Sequence, residues 1–562
     1  VKPRKLLALP LISALIFLGA CGSTEPQAPG GGEQTEDTSS VPTSDINPQP
    51  REALQQGGEL RLAITDFVYW NPLNVNGNEA DYADIVEAFL PQLVIVDDSG
   101  APVINPEYVV SAEVTSEDPT VVDWKLNPNA VWNDGSKLSW RDFEAMWQAC
   151  GTGDAEFQCA STQGYDQIEK VEQGVDEQNA IITFKGAYPD WTQPFTTLFK
   201  ADSMADAETF NSGWEDITEI GDWLSGPFKV DTYDETQKVL TLVPNEKWWG
   251  EAPLLDKISW RAVSADAQAN AFVNGELDAF EVGIDPDAFA KASGYAEGSV
   301  RKAGGPDFRH FTFNVEAGNL KSKAVRQAIV MGLDRQSIGS SDLAGIDWPV
   351  KPLNNNIFLE TQEAYVDVAE QTGINYDPAK ARQTLEADGW TLNDATGIYE
   401  KDGKPLTVTF TQITGVPVSE NEAVQTQSQL KEVGIDVKIA DATQENWIDK
   451  LSASEFEIFA FSWIGTPYPY QFKQIYGTGS DSNFGNLSVP EIDQLADQVD
   501  VTVDVAERTE LANQAAALIW ENVGTLPLYQ RPQIVATKSN LANYGAPGLT
   551  VIEWENVGYM AG

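Results

Sequence analysis

The chain has 562 residues, 42% hydrophobic and 10% aromatic, with 17 tryptophans, a globular composition that needs two or three domains rather than one core. Its net charge of −49 excludes a nucleic-acid binder, which needs Lys and Arg to neutralise phosphates, and fits the acidic coat of an exported protein. The single histidine, His310, excludes H-E-x-x-H zinc sites and any cage built on paired imidazoles.

Residues 1–20 carry Lys2, Arg4 and Lys5, then an uncharged run from Leu6 to Ala20. A basic head before a short apolar segment is the pattern of a signal peptide, too short for a spanning helix. The segment ends Leu18-Gly19-Ala20-Cys21-Gly22, which resembles the lipobox of bacterial lipoproteins. The resemblance implies that the Cys21 thiol receives diacylglycerol and becomes the mature N-terminus. Residues 21–51 are rich in Pro, Gly, Ser, Thr, Gln and acids with no apolar period, and are expected to form a disordered tether. Such a tether reaches about 100 Å at full stretch and averages about 30 Å as a coil.

Beyond the tether, Gly58–Thr65 alternates as a strand and runs into the aromatic loop Asp66-Phe67-Val68-Tyr69-Trp70-Asn71-Pro72. A helix is expected from about Glu79 to Phe89. Residues 103–131 read as short strands, followed by the Asn133-Asp134-Gly135 turn and by Ser139-Trp140-Arg141-Asp142, an S-x-x-D helix start. Cys150 and Cys159 stand nine apart, and in an oxidising compartment a bridge between them is worth about 2–3 kcal/mol. Strand patterns recur at Ile168–Val175, Ala180–Phe184, Val239–Val243 and Leu255–Trp260, with a helix over Ala265–Asn274. His310–Val315 alternates as a strand leading to an amphipathic helix, whose Val325, Ala328, Ile329, Gly332 and Leu333 share one face. Farther on, Val433–Ile439 and Phe456–Phe461 read as strands, and Glu422–Leu430 and Leu511–Glu521 as helices.

In order along the chain stand Trp132-Asn133-Asp134-Gly135, Gly226-Pro227-Phe228, Asn245-Glu246-Lys247-Trp248-Trp249, Leu255-Asp256-Lys257-Ile258 and Gly275-Glu276-Leu277-Asp278-Ala279. Phe313-Asn314, Val325–Ile329, Tyr376–Arg382, Gly389-Trp390 and Leu526-Pro527-Leu528-Tyr529 follow. This series resembles the extracellular solute-binding proteins of family 5, which serve ABC importers of dipeptides and oligopeptides, over about residues 55–562. The resemblance implies an α/β, two-lobed periplasmic-binding-protein-like fold with an extra subdomain in the first lobe. The implied lobe 1 is 52–96 with 187–308 and 527–562, its subdomain 97–186, and lobe 2 309–526. Chain crossings are expected near 308–314 and 524–530.

The sharpest ligand-binding candidate is Phe461–Tyr470, a buried strand entering a loop with Trp463, Gly465, Thr466, Tyr468 and Tyr470. In the family the corresponding loop reads Gly-Trp-x-x-Asp, and its acid pairs with the peptide's α-ammonium. Here Trp463 and Gly465 fit, and the acidic position falls on Thr466, which offers no charge-assisted bond. Asp66 is one alternative acid, and a ligand not clamped by its amine is another. Phe67, Tyr69 and Trp70 complete the candidate set, against the alternative that they simply pack.

No catalytic site stands out: there is no G-x-S-x-G elbow, and carboxylate pairs are too plentiful among 85 acids to mark a glycosidase centre. Asp481-x-Asn483-x-Gly485 lacks a twelfth-position acid, Ile492 standing there, and reads as a turn rather than a calcium loop. No cofactor or resident metal is expected. The resemblance implies a monomeric receptor, lipid-anchored at the outer face of the bacterial plasma membrane, that hands a peptide to permease and ATPase subunits. The alternatives are a sugar or metal complex as the solute, or a sensing lipoprotein that transports nothing.

Overall fold

The computed structural model describes residues 41–561 apart from Val68, Glu79, Ala80, Asp81 and Asp98. Cys21, the signal segment and the tether up to residue 40 lie outside the described residues. A ten-stranded mixed sheet forms the backbone of the molecule. Its strands are β1 (Glu59–Ile64), β2 (Phe228–Asp234), β3 (Val239–Pro244), β4 (Lys257–Ala262) and β5 (Ala279–Glu281), then β6 (Gly298–Phe313), β7 (Thr407–Ile413), β8 (Asp436–Ala442), β9 (Ile458–Ile464) and β10 (Thr525–Lys538). The order across the sheet is β8-β7-β9-β6-β10-β5-β1-β4-β3-β2.

The two long strands in the middle, β6 and β10, are antiparallel partners along most of their length. At one end β10 also pairs with β5, through Val535 to Thr537. At the other end β6 pairs with β9, from Asp307 to Phe313. The sheet thus passes from one lobe to the other through this pair alone. Pairing between β6 and β10 breaks between Gly304 and Phe308, and shifts again at Arg309/His310. On one side lies a core made of residues from Leu60 to Trp260 with Val535 to Tyr559; on the other, two cores draw mainly on residues beyond 300. The fold is two-lobed.

Local sequence explains most elements. In β1 only Leu60, Leu62 and Ile64 are buried, the alternation of a strand covered on one face. In β9 every residue from Ile458 to Trp463 is buried, as in a strand covered on both faces. Helix α1 (Trp140–Gly151) opens with the capping box of Ser139 and Asp142. The Asp142 carboxylate accepts from the backbone N–H groups of Ser139 at 2.8 Å and Ala201 at 2.9 Å, while burial pushes its pKa up to about 6. Cys150, in the last turn of α1, is bonded to Cys159 with a Cα–Cα distance of 5.8 Å. Helix α1 packs on a separate four-stranded sheet of Val109–Glu117, Thr120–Leu126, Asn179–Phe184 and Ile168–Gln173. Helix α2 (Lys323–Gly332) is capped by the Ser322 hydroxyl and buries Val325, Ala328, Ile329 and Gly332.

Residues 41–51, read above as the end of the tether, are docked on the body. Val41 is buried, Asp45 exchanges backbone hydrogen bonds with Ala546, and the Pro42 carbonyl accepts from Gly304 N–H at 2.8 Å. A Cβ on Gly304 would meet Val41, Thr361 and Gln530 within 2.8 Å, so glycine is needed for this close approach. The docking rests on side-chain and backbone hydrogen bonds, which leave no periodic apolar trace in the sequence.

Polar groups are buried beside the crossing pair. Arg309 of β6 makes two hydrogen bonds of 2.7 Å to Glu422 in α3 (Pro417–Val433), and Glu422 is fully buried. Tyr529 of β10 donates to Asp342 at 3.2 Å, as does Asn421 at 2.7 Å. Removal from water, then the charge of Glu422, push the Asp342 carboxyl up to about 8. His310 is fully buried, and its desolvation holds the ring neutral.

Two outcomes follow from this network. Glu422→Gln leaves Arg309 buried without its counter-charge and should cost about 3–5 kcal/mol in urea unfolding. Asp342 has a folded pKa above its unfolded value, so its contribution is complete below the unfolded pKa, near pH 4, and is lost as pH rises toward 8. Asp342→Asn should therefore raise the unfolding free energy measured in urea at pH 8, by about 1–3 kcal/mol, and leave it nearly unchanged at pH 4.

Candidate functional site

The loop after β9 is held by the crossing strands. Gly465 N–H donates to the Pro306 carbonyl at 2.7 Å. A Cβ at Gly465 would stand 2.9 Å from Leu359 and 3.2 Å from that carbonyl, so the loop passes the pivot only with glycine here. The Thr466 hydroxyl accepts from Tyr468 N–H at 3.0 Å and lies 2.9 Å from the Tyr468 carbonyl. It therefore staples its own turn.

Trp463 is buried, stacked between Phe484 at 5.9 Å and His310 at 6.0 Å. Its Nε1–H has no protein partner, and the ring lines a small cavity with Thr312, Tyr476, Asn483 and Thr525. Tyr468 and Tyr470 have ring centroids 6.3 Å apart, Tyr468 buried and Tyr470 half-buried, and burial raises both phenol pKa values.

The aromatic loop after β1 turns into its own lobe. Tyr69 and Trp70 are buried, and Phe67 is half-buried. Trp70 packs on Phe67, Tyr82 and Tyr233 at centroid distances of 5.3, 5.7 and 5.3 Å. Asp66 is exposed and ion-paired with Lys238, which holds its pKa below the usual carboxylate range. The structure does not bring this group against Trp463: the two sets belong to the cores of opposite lobes.

Where the lobes meet, a different set of side chains touches. The Tyr468 hydroxyl is 3.0 Å from Thr192 Oγ1. Gln474 donates to Gln163 at 2.7 Å. Arg508, in α4 (Val505–Asn522), forms a two-pronged pair with Asp190, with Nη1 to Oδ1 at 2.6 Å. Sequence reading misses these residues. Asp190 and Arg508 are 318 positions apart, and neither stands in a motif. Only the turn residues Tyr188-Pro189-Asp190 hint at a chain held against something.

Such a site has the chemistry of capture, with aromatic surfaces, backbone groups and a polar rim. Among the described residues no group of three or more His, Cys, Asp or Glu side chains is arranged to hold a metal.

Comparison with known proteins gives a consistent result. The model of "Bacterial extracellular solute-binding proteins, family 5 Middle" matches residues 103–486. The oligopeptide-binding protein OppA of Mycobacterium tuberculosis is 34% identical over 561 residues, 99% of this chain and 93% of that protein. Among solved structures, the periplasmic EDTA-binding protein EppA superposes with a TM-score of 0.81 at 23% identity, covering 93% of this chain and 100% of its own. AppA from Bacillus subtilis, solved with a nonapeptide, superposes with a TM-score of 0.70 at 21% identity, covering 91% and 100%.

Gly465→Val tests the loop. The added side chain must displace Leu359 or the Pro306 carbonyl, and we expect a loss of about 1–3 kcal/mol in urea unfolding.

Proposed function

The chain belongs to the bacterial extracellular solute-binding proteins of family 5, of oligopeptide type, and from that premise we propose that it is the receptor of an ABC importer that captures peptides between its lobes. In this reading one jaw comprises residues 52–96, 187–308 and 527–562 with the subdomain 97–186, and the other residues 309–526. The observation that carries it is the pair β6–β10, two passages between lobes whose rims meet through polar side chains outside that pair.

A peptide lying extended in the gap would be held through its main chain, which gives affinity with little dependence on sequence. Waters would fill the space around varied side chains. Closure about the strand pair then buries the cargo unaltered, and no bond is made or broken. Phe67, Gly465, Tyr470 and the turn held by Thr466 are the residues of the candidate set with exposed surface to offer; Tyr69 and Trp70 are buried in one lobe, and Trp463 and Tyr468 are buried behind the loop of the other. The lipobox ending at Cys21 supports anchoring at the outer membrane face, and family membership supports delivery to a permease with its ATPases.

Thr466 decides between kinds of peptide recognition. Its hydroxyl is committed to the turn, and a neutral side chain there offers an ammonium no ion pair. The N-terminal amine of the ligand is therefore not gripped at this position. The same observation favours a second reading, a non-peptide solute on the same fold.

Calorimetry with a mixture of tripeptides to nonapeptides, free and N-acetylated, separates these readings. We expect binding at about 1 µM or tighter. We also expect acetylation to change affinity by no more than about threefold, since no ion pair is lost. Binding of a sugar or metal-chelate panel with no response to peptides would replace the peptide reading by the second one.

A further inference from the structure

We infer that Asp190 and Arg508 act as a closure detent, a pair of positioning residues that make the lobes either fully shut or fully apart and so set how long a bound solute stays. The inference rests on the receptor reading above and adds to it the groups that govern residence time.

The geometry is that of a prepared lock. Asp190 is 3% exposed and Arg508 8% exposed. Arg508 is pre-aimed, its Nε donating to the Val499 carbonyl at 2.9 Å, so both remaining nitrogens face Asp190. Asp190 sits in a turn fixed by its own carbonyl, which accepts from Gln193 N–H at 2.9 Å. The pair is flanked by the Thr192–Tyr468 contact, and Gln163–Gln474 adds a further contact between the same lobes. Tyr188 and Phe195, on either side of Asp190, belong to one lobe's core, and Ala512, Ala515 and Ile519 of α4 to the other's.

Consider the two end states. Apart, each ion is hydrated and costs nothing. Shut, both have lost water, and the two-pronged pair with the Val499 carbonyl returns what desolvation took, so the net contribution is small. Between the two, a narrowed gap strips water before the oxygens and nitrogens are in reach. The partly closed arrangement carries buried, unpaired charge and is the costly one. Close by, Lys473 pairs with Asp497 and Asp500. Asp500 also feels the charges of Arg508 and Asp190, but its side-chain hydrogen bond goes to Lys473.

The test uses the full chain, small-angle scattering with and without the tripeptide-to-nonapeptide mixture, and displacement kinetics of a bound fluorescent hexapeptide. Asp190→Ala and Arg508→Ala each leave one charge to be buried alone. Each should shift scattering toward the open form and speed peptide release by about 30-fold or more. The double variant Asp190→Leu/Arg508→Met removes both charges at similar volume, and should return to the closed form with release within about threefold of the parent. A merely structural role predicts instead that the double variant is at least as impaired as either single one, and that result overturns the detent. Single variants that match the parent in scattering and, where peptide binds, in release also overturn it. If the parent binds no peptide while the single variants still open and the double variant still closes, the detent stands and the peptide reading falls.

Discussion

Everything in this molecule hangs on the backbone pairing of β6 with β10. Two strands passing side by side between lobes resist separation through their ladder, and that ladder is broken between Gly304 and Phe308. An irregularity of this kind leaves residues of one strand unpaired with the other. Just beyond it the Arg309–Glu422 pair, Tyr529 and Asp342 fasten both strands to helices of the second lobe. The pair is therefore without ladder bonds over a few residues and fastened to helices on its second-lobe side, and in the receptor reading proposed above closure turns about that stretch.

Much of the fold was legible because it is written in short-range chemistry. Ser139 and Asp142 announced a helix start, Leu60, Leu62 and Ile64 announced a strand with one covered face, and Cys150 and Cys159 announced a staple. The length of β6 was not legible. Gly304, Gly305 and Pro306 interrupt its alternation, so only its last four residues, His310–Phe313, read as a strand. Those same residues are what a flexible crossing needs, and the local signal failed where function departs from regular structure.

The candidate site was legible in part. The loop after β9 was found from its composition, but its Tyr468 points at the other lobe, and its Trp463 is buried under it. Phe67, Tyr69 and Trp70 read equally as ligand-contacting surface or as simple packing; Tyr69 and Trp70 are buried, because aromatic residues on a loop pack wherever a neighbouring ring is in reach. Asp190 and Arg508 were invisible for a deeper reason. A contact between residues so distant in sequence has no period and no spacing; only the topology brings it about.

The docked N-terminal segment has a mechanical corollary. Pro42 and Asp45 bind to β6 at Gly304 and Lys302, on or next to the break in its pairing. A leash fastened to the rim of a jaw would act as a crank, and any tug on it would favour gaping or clenching. In the anchored-receptor reading proposed above, a pull arriving at Val41 would instead act at the fulcrum, with a moment arm close to nothing.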